Sequence, residues 1–183
     1  MINLFSKTKR ILFRVFRKTL HIKKNNICNT AIINNSDLVK LKPTSEIQDY
    51  VIIRISENPL TLGEHSQINP FCVIYGNSGV YIGDNVMIAP HCTIAAGNHN
   101  HKQIEIPMRH IKGYSTAPII IEDDVWIGAN CTITDGVKIS KGAVIGANSV
   151  VTKNVNSYDI VAGCPAKIIG NRTHLYGGNT KHN

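Results

Sequence analysis

Histidines are concentrated in one polar stretch near the middle of the chain. The stretch begins A-A-G-N-H-N-H-K-Q at residue 95, and its basic side chains are His99, His101, Lys102, Arg109 and His110. An imidazole ionises near neutral pH, so it can take the proton of a hydroxyl while that hydroxyl attacks an acyl carbon. The same ring can also bind a metal ion such as Zn²⁺. This stretch is therefore the first candidate for a catalytic site.

The residues that follow it repeat with a period of six. The repeated aliphatic residues are Ile121, Ile127, Ile133, Ile139, Ile145 and Val151. The fifth place of each hexad holds Val125, Cys131, Val137, Ala143, Ser149 and Val155. A period of six fits neither a continuous helix nor simple strand alternation, but it fits short strands and turns stacked coil on coil. We therefore predict an all-β parallel coil with the aliphatic residues inside.

Two shorter runs earlier in the chain have the same period. They are Leu62, Ile68, Ile74 and Ile82, Ile88, Ile94. The spacing slips by two residues between the runs, where the turn-forming sequence Asn77-Ser78-Gly79 can hold the extra residues at a corner. Ile94 and Ile121 are 27 positions apart, which is not a multiple of six. Residues 95–118 are therefore predicted to leave the stack as a long loop, a kind of segment that often carries function.

Four segments in this order resemble the left-handed parallel β-helix (hexapeptide-repeat) acyltransferases, especially the galactoside, maltose and polysaccharide O-acetyltransferases. The segments are Y-I-G-D-N-V-M-I-A-P-H-C-T-I at 81–94, V-W-I-G-A-N at 125–130, G-A-N-S-V-V-T-K at 146–153 and V-A-G-C-P-A-K-I-I at 161–169. The resemblance covers roughly residues 60 to 170. It implies a left-handed coil, acetyl-CoA as co-substrate, and a homotrimer with donor sites between adjacent subunits.

The resemblance also implies roles for individual residues. The family's general base lies five residues beyond the aliphatic residue that precedes the loop, which gives His99, with His101 as the second candidate and a substrate-binding residue. Asn69 aligns with a family asparagine near the acceptor, where an amide can orient a hydroxyl or stabilise an oxyanion. Small residues and lysines suit the pantetheine arm and phosphates of coenzyme A. The implied donor-binding residues are Ala129, Ala147, Thr152, Lys153 and Lys167.

Together these residues predict an acetyl-CoA-dependent O-acetyltransferase that transfers acetyl directly to a hydroxyl of a sugar, a cell-surface polysaccharide or its precursor. One alternative acceptor is a nucleotide amino sugar or a small xenobiotic, since Asn98-His99 also resembles streptogramin acetyltransferases. Another alternative is a carbonic-anhydrase-like metalloenzyme with His91, His99 and His101 as ligands. The leading interpretation has no metal site, because a metal hydratase has no evident use for the C-terminal segments at 146–153 and 161–169.

Charged residues are unevenly distributed along the chain. Residues 1–36 carry eight basic residues and no acid, and so account for the whole net charge of +8. The spacing of apolar and basic residues at 2–20 predicts a basic amphipathic helix. This helix either packs on the β-helix or lies on an anionic membrane surface. No nucleic-acid recognition motif accompanies the charge. We expect an N-terminal arm at 1–24, a β-helix at 25–170 and a tail at 171–183.

Residues 25–61 predict short strands without legible hexads. Cys72, Cys92 and Cys131 occupy fifth places and are predicted to be small buried residues, so no cysteine is assigned as a nucleophile. With no export signal evident, we expect a reduced cytoplasmic protein, peripheral at the inner face of the membrane if the arm binds lipid.

Overall fold

A computed structural model describes residues 26–111 and 117–175, and these residues form a parallel β-solenoid of about six turns, as in a left-handed β-helix. The first three coils contain β1 (Asn26–Ile27), β2 (Ile32–Ile33), β3 (Val39–Leu41), β4 (Glu46–Ile47), β5 (Ile52–Arg54), β6 (Leu60–Leu62), β7 (Gln67–Ile68), β8 (Val73–Tyr75) and β9 (Val80–Ile82). The next three contain β10 (Met87–Ile88), β11 (Thr93–Ala95), β12 (Ile119–Ile121), β13 (Trp126–Ile127), β14 (Thr132–Ile133), β15 (Lys138–Ile139), β16 (Val144–Ile145) and β17 (Val150–Val151). The predicted arm helix at 2–20 lies outside the described residues.

The strands stack into three sheets that form the sides of a prism. Sheet 1 holds β1, β4, β7, β10, β13 and β16, sheet 2 runs from β2 to β17, and sheet 3 runs from β3 to β15. In register, Ile88 pairs with Ile127 and Ile94 with Ile133, so each aliphatic residue lies on its equivalent one coil away. Backbone hydrogen bonds between coils set their separation at about 4.8 Å.

The predicted hexads point into the core. Ile127, Ile133 and Ile139 have no exposed surface, and the fifth-place residues Val125 and Ala143 are likewise buried. The predicted register of these coils is therefore confirmed. Residues 26–62 add two further coils, so the strands expected there belong to the same solenoid.

The prism has three edges, and only one varies in length. Edge 1, between sheets 1 and 2, and edge 3, between sheets 3 and 1, keep six residues between successive aliphatics, as from Ile47 to Ile53 and from Ile82 to Ile88. Edge 2, between sheets 2 and 3, does not. Its pairs of aliphatics are Ile33–Leu41, Ile53–Leu62, Ile74–Ile82, Ile94–Ile121, Ile133–Ile139 and Val151–Val155. Because these intervals vary, the period of six in the first coils could not be recognised from the sequence.

Edge 1 carries a column of residues with left-handed backbone. Its members are Tyr50, Phe71, His91, Asn130 and Asn148. Asparagine tolerates this conformation, whereas aromatic residues rarely adopt it. The rings of Tyr50 and Phe71 stack at 5.2 Å, those of Phe71 and His91 stack at 5.0 Å, and Asn130 Nδ2 donates to Asn148 Oδ1 at 2.8 Å. Side-chain stacking and amide bonding between coils therefore offset the strain of the corners.

The C-terminal hairpin closes one end of sheet 1. β18 (Asp159–Ala162) continues the parallel sheet, and β19 (Lys167–Asn171) pairs with it antiparallel before a helical turn at Arg172–Leu175. Arg172 Nη1 donates to Gly142 O at 2.7 Å and to Asp124 Oδ2 at 3.0 Å. These bonds hold the hairpin against edge 3. Within 26–111 and 117–175, no helix has the length and apolar character needed to cross a membrane.

Replacing Ile133 with Asp tests the register. Ile133 is 0% exposed, and an unpaired carboxylate in its place should lower the melting temperature severely or abolish soluble protein. Thr132→Asp is the matched control, because the neighbouring side chain faces outward and is half-buried. Equal melting of the two variants would contradict the assignment of inner and outer faces.

Candidate active site

His99 stands where the chain leaves the solenoid at edge 2. Strand β11 ends at Ala95, Ala96 remains buried, and the side chain of His99 is exposed. The His99 backbone N–H donates to Asn98 Oδ1 at 2.8 Å, and His101 Nδ1 lies 3.3 Å from the His99 carbonyl oxygen. The His101 ring therefore lies against the His99 backbone at the start of the predicted loop.

The rest of this excursion projects from the prism. Among its described residues a short 3-10 turn covers Met108–His110, and strand β12 resumes at Ile119. Two of its apolar side chains are largely open, since Ile104 is 89% exposed and Met108 is 56% exposed, whereas Ile111 is 9% exposed. An excursion with an apolar outer surface is suited to contact with another molecule.

Edge 2 also holds two of the predicted donor-binding residues. Thr152 and Lys153 follow β17 two coils beyond His99, and both are exposed. Asp135 and Gly136 form the turn of the coil between them. His99, Thr152 and Lys153 therefore lie along one edge.

The other small donor-binding residues lie on edge 1. Ala129 and Ala147 are exposed on adjacent coils, and the Asn148 N–H donates to Ala129 O at 2.9 Å. The coils approach closely here, since a Cβ added to Gly128 would lie 2.7 Å from Ala147 N. A narrow strip of small side chains results, along which an extended ligand could contact the backbone.

Asn69 lies on edge 1 two coils before Ala129. Its Nδ2 donates to Ile88 O at 2.8 Å, and its backbone N–H donates to the same oxygen at 3.0 Å. The structure describes no hydrogen bond to Asn69 Oδ1. Of the two roles predicted for this amide, accepting a hydrogen bond from an acceptor hydroxyl fits this geometry better than stabilising an oxyanion.

Lys167 lies on the C-terminal hairpin. Its side chain is exposed, as are the adjacent Ile168 and Ile169. The Ala166 N–H donates to Val150 O at 2.9 Å, which ties the hairpin to sheet 2 as well as to sheet 1. Lys167 is therefore an exposed cation on a hairpin that packs against the last coil.

The predicted site residues form two groups that the single chain keeps apart. Group 1 lies on edge 1 and contains Asn69, Ala129 and Ala147, whereas group 2 lies on edge 2 and contains His99, Thr152 and Lys153. Sheet 2 separates them, and the length of one face is roughly 15 Å for five extended residues. The two groups have the same order along the solenoid. In each group the residue predicted to lie near the acceptor comes before the donor-binding residues. Sequence reasoning missed this division, although the hexad count assigns every residue to an edge.

The three histidines of the metalloenzyme alternative do not converge within the chain. His91 is on edge 1 with its ring on Phe71, while His99 and His101 leave edge 2. Among residues 26–111 and 117–175, no group of three or more potential metal ligands is present.

Cys72, Cys92 and Cys131 form a buried column behind edge 1, each about 1% exposed. A hydrogen bond with Cys131 lowers the pKa of Cys92, but contact with Cys72 and burial outweigh it and raise that pKa to about 11. Contact with Cys92 and burial raise the pKa of Cys131, whereas the bond with Cys92 lowers the pKa of Cys72. Because none of the three sulfurs reaches the surface, none can accept an acyl group from a ligand bound there.

Two protein-family models match the chain. A model described as "Bacterial transferase hexapeptide (six repeats)" matches residues 59–96, and one described as "Hexapeptide repeat of succinyl-transferase" matches residues 118–153. The chain belongs to the hexapeptide-repeat family. The two matched ranges flank the excursion, so they cover the coils that carry both groups of site residues.

The chain is also similar to individual acetyltransferases. A probable acetyltransferase of Mycobacterium tuberculosis is 32% identical over 126 residues, covering 69% of this chain and 42% of that protein. Galactoside O-acetyltransferase of Escherichia coli is 35% identical over 108 residues, covering 59% of this chain and 52% of that protein. The chain thus spans about half the length of these relatives. A hexapeptide-repeat acetyltransferase of Vibrio cholerae, solved in complex with acetyl coenzyme A, is 28% identical with a TM-score of 0.63, covering 86% of this chain and 77% of that chain.

Proposed function

We propose that the chain is an acetyl-CoA-dependent O-acetyltransferase that acetylates a hydroxyl of a sugar, a cell-surface polysaccharide or its precursor. The observation that carries the proposal is the matched placement of the two groups: His99 on edge 2 and Asn69 on edge 1 both precede the donor-binding residues along the solenoid. The Escherichia coli relative is named for a galactoside O-acetyltransferase, and this supports a sugar hydroxyl as the acceptor.

In the proposed reaction His99 is the general base. As the acceptor oxygen attacks the thioester carbonyl carbon, the imidazole takes the hydroxyl proton and a tetrahedral oxyanion forms. Collapse of this intermediate breaks the carbon–sulfur bond, and the departing thiolate of coenzyme A takes the proton from the imidazolium. Acetyl passes directly to the acceptor, consistent with the burial of the three column thiols.

Each active site needs two copies of the chain. Group 1 and group 2 lie at opposite edges of sheet 2, so edge 2 of one copy must meet edge 1 of the next. Such a heterologous contact closes into a ring when the rotation is right, and a homotrimer with three shared sites is the proposed assembly. The open apolar side chains of Ile104 and Met108 on the excursion suit this contact.

The donor is proposed to lie in the cleft between copies. Its pantetheine arm would follow the strip at Ala129 and Ala147, and its phosphates would meet Lys153 and Lys167, both exposed. The acetyl-CoA complex of the Vibrio cholerae protein supports this donor for the family. A panel of sugars, nucleotide amino sugars and cell-surface glycans, assayed by release of free coenzyme A, would identify the acceptor.

His99→Ala should lower kcat by about 10²–10⁴-fold, because the hydroxyl then attacks without general-base help. The Kd for acetyl-CoA should change little, since the proposed donor contacts lie elsewhere. Stopped-assay turnover and calorimetric titration measure the two quantities. His101→Ala is the matched control and should lower kcat less. If His99→Ala kept full turnover and His101→Ala lost it, the base would be His101 and the assignment to His99 would be wrong.

Shared sites can be tested by mixing two inactive variants. His99→Ala damages group 2, and Ala129→Trp fills the strip of group 1 at an exposed position. In trimers co-expressed from both at equal levels, a site is intact only when its edge 2 comes from the Ala129→Trp variant and its edge 1 from the His99→Ala variant, which gives about a quarter of wild-type activity. Activity that stays at the level of either variant alone would contradict sites shared between copies.

The N-terminal arm is proposed to give a cytoplasmic protein a peripheral contact with the inner face of the cell membrane. Deleting residues 2–20 should abolish binding to phosphatidylglycerol vesicles at low salt and leave activity on a soluble acceptor intact. Changing Lys7, Lys9 and Arg10 to Gln, which keeps the apolar residues, should weaken that binding and reduce its salt dependence. Unfolding of the deletion variant would instead indicate the packing role, and equal vesicle binding by both forms would exclude membrane attachment.

A further inference from the structure

The turn one coil beyond His99 touches both ends of the excursion. Asn98 Nδ2 donates to Asp135 Oδ1 at 3.4 Å. Gly136 has left-handed backbone, and a Cβ added to it would lie 3.7 Å from Ala117 O, so the next residue of the turn lies against the returning chain. The turn at Asp135 and Gly136 therefore contacts the chain both where the excursion leaves the solenoid and where it returns.

Asp135 determines which way the Asn98 amide faces. A carboxylate can only accept hydrogen bonds, so it selects the Nδ2 side of the amide and turns Oδ1 away from itself. That oxygen accepts the His99 backbone N–H at 2.8 Å. In the part of the chain that the structure describes, the Asn98 amide is the one hydrogen-bond partner of this half-buried carboxylate.

We infer that Asp135 is a positioning residue for His99, acting through the Asn98 amide. The inference rests on the proposed function, in which His99 is the base. A catalytic group must be held within a fraction of an ångström of its productive geometry, and a residue near the start of a long exposed excursion has little other support. The chain Asp135–Asn98–His99 supplies that support at the point where the backbone departs from the coil.

Exchanging the two side chains tests the inference without removing the bond. Asn98→Asp alone sets two carboxylates against each other and should lower kcat about tenfold, as should Asp135→Ala. Combining Asn98→Asp with Asp135→Asn restores a donor opposite a carboxylate and keeps an acceptor for the His99 N–H, so kcat should return to within about threefold of wild type. The KM for acetyl-CoA and the melting temperature should stay constant throughout. Glu57→Ala, which removes an exposed acid from the same edge, should leave all of these values unchanged.

A second measurement does not depend on activity. Selective ¹⁵N-histidine labelling gives the exchange rate of the His99 amide proton, which should rise severalfold in Asp135→Ala and in Asn98→Asp and recover in the exchanged pair. No change in exchange in the single variants overturns the inference, and so does a double variant that fails to recover. Faster exchange with normal kcat also overturns it if His99→Ala is inactive. If His99→Ala is fully active while exchange responds as expected, the hydrogen-bond chain stands and the proposed base is wrong.

Discussion

Stacking of equivalent aliphatic residues on successive coils is the interaction on which this structure depends. Ile88, Ile127 and Ile145 lie one above another on sheet 1, and backbone hydrogen bonds between coils hold them in register. Because each coil contacts its neighbours above and below, the scaffold gains its stability coil by coil. Both groups of site residues inherit their alignment from this stacking, since each residue is placed by its distance from an aliphatic.

The edges must then solve a conformational problem that the stacking creates. The sharp corners of edge 1 use a left-handed residue on five successive coils, and few side chains accept that backbone at low cost. On edge 1 the chain uses rings on three coils and amides on two. The same edge presents Ala129 and Ala147, so the corners that need rigidity are also those expected to face the donor.

The hexads were sufficient to predict the parallel coil, the inner residues and the extent of the excursion, because burial in a solenoid follows position in the repeat. The first two coils were less legible: Ile33 to Leu41 and Ile53 to Leu62 interrupt the period, although Leu41, Ile47 and Ile53 keep it between the interruptions. The Asp135–Asn98 contact was missed, because it depends on how the excursion leaves the coil. The separation of Asn69 from His99 could have been obtained by assigning residues to edges. The acceptor is not encoded in the repeat at all.

Confining all variation in length to edge 2 has a consequence for how such a protein can diversify. Closing a loop of 27 residues in place of six costs only about 1 kcal/mol more in chain entropy, because that cost grows with the logarithm of length. The stacked coils on either side pair as they would without the insertion, as the match of Ile82 with Ile121 shows. Edge 2 is therefore the position at which segments can be exchanged or inserted while the rest of the scaffold is kept. New acceptor preferences could be selected there with little loss of folding stability.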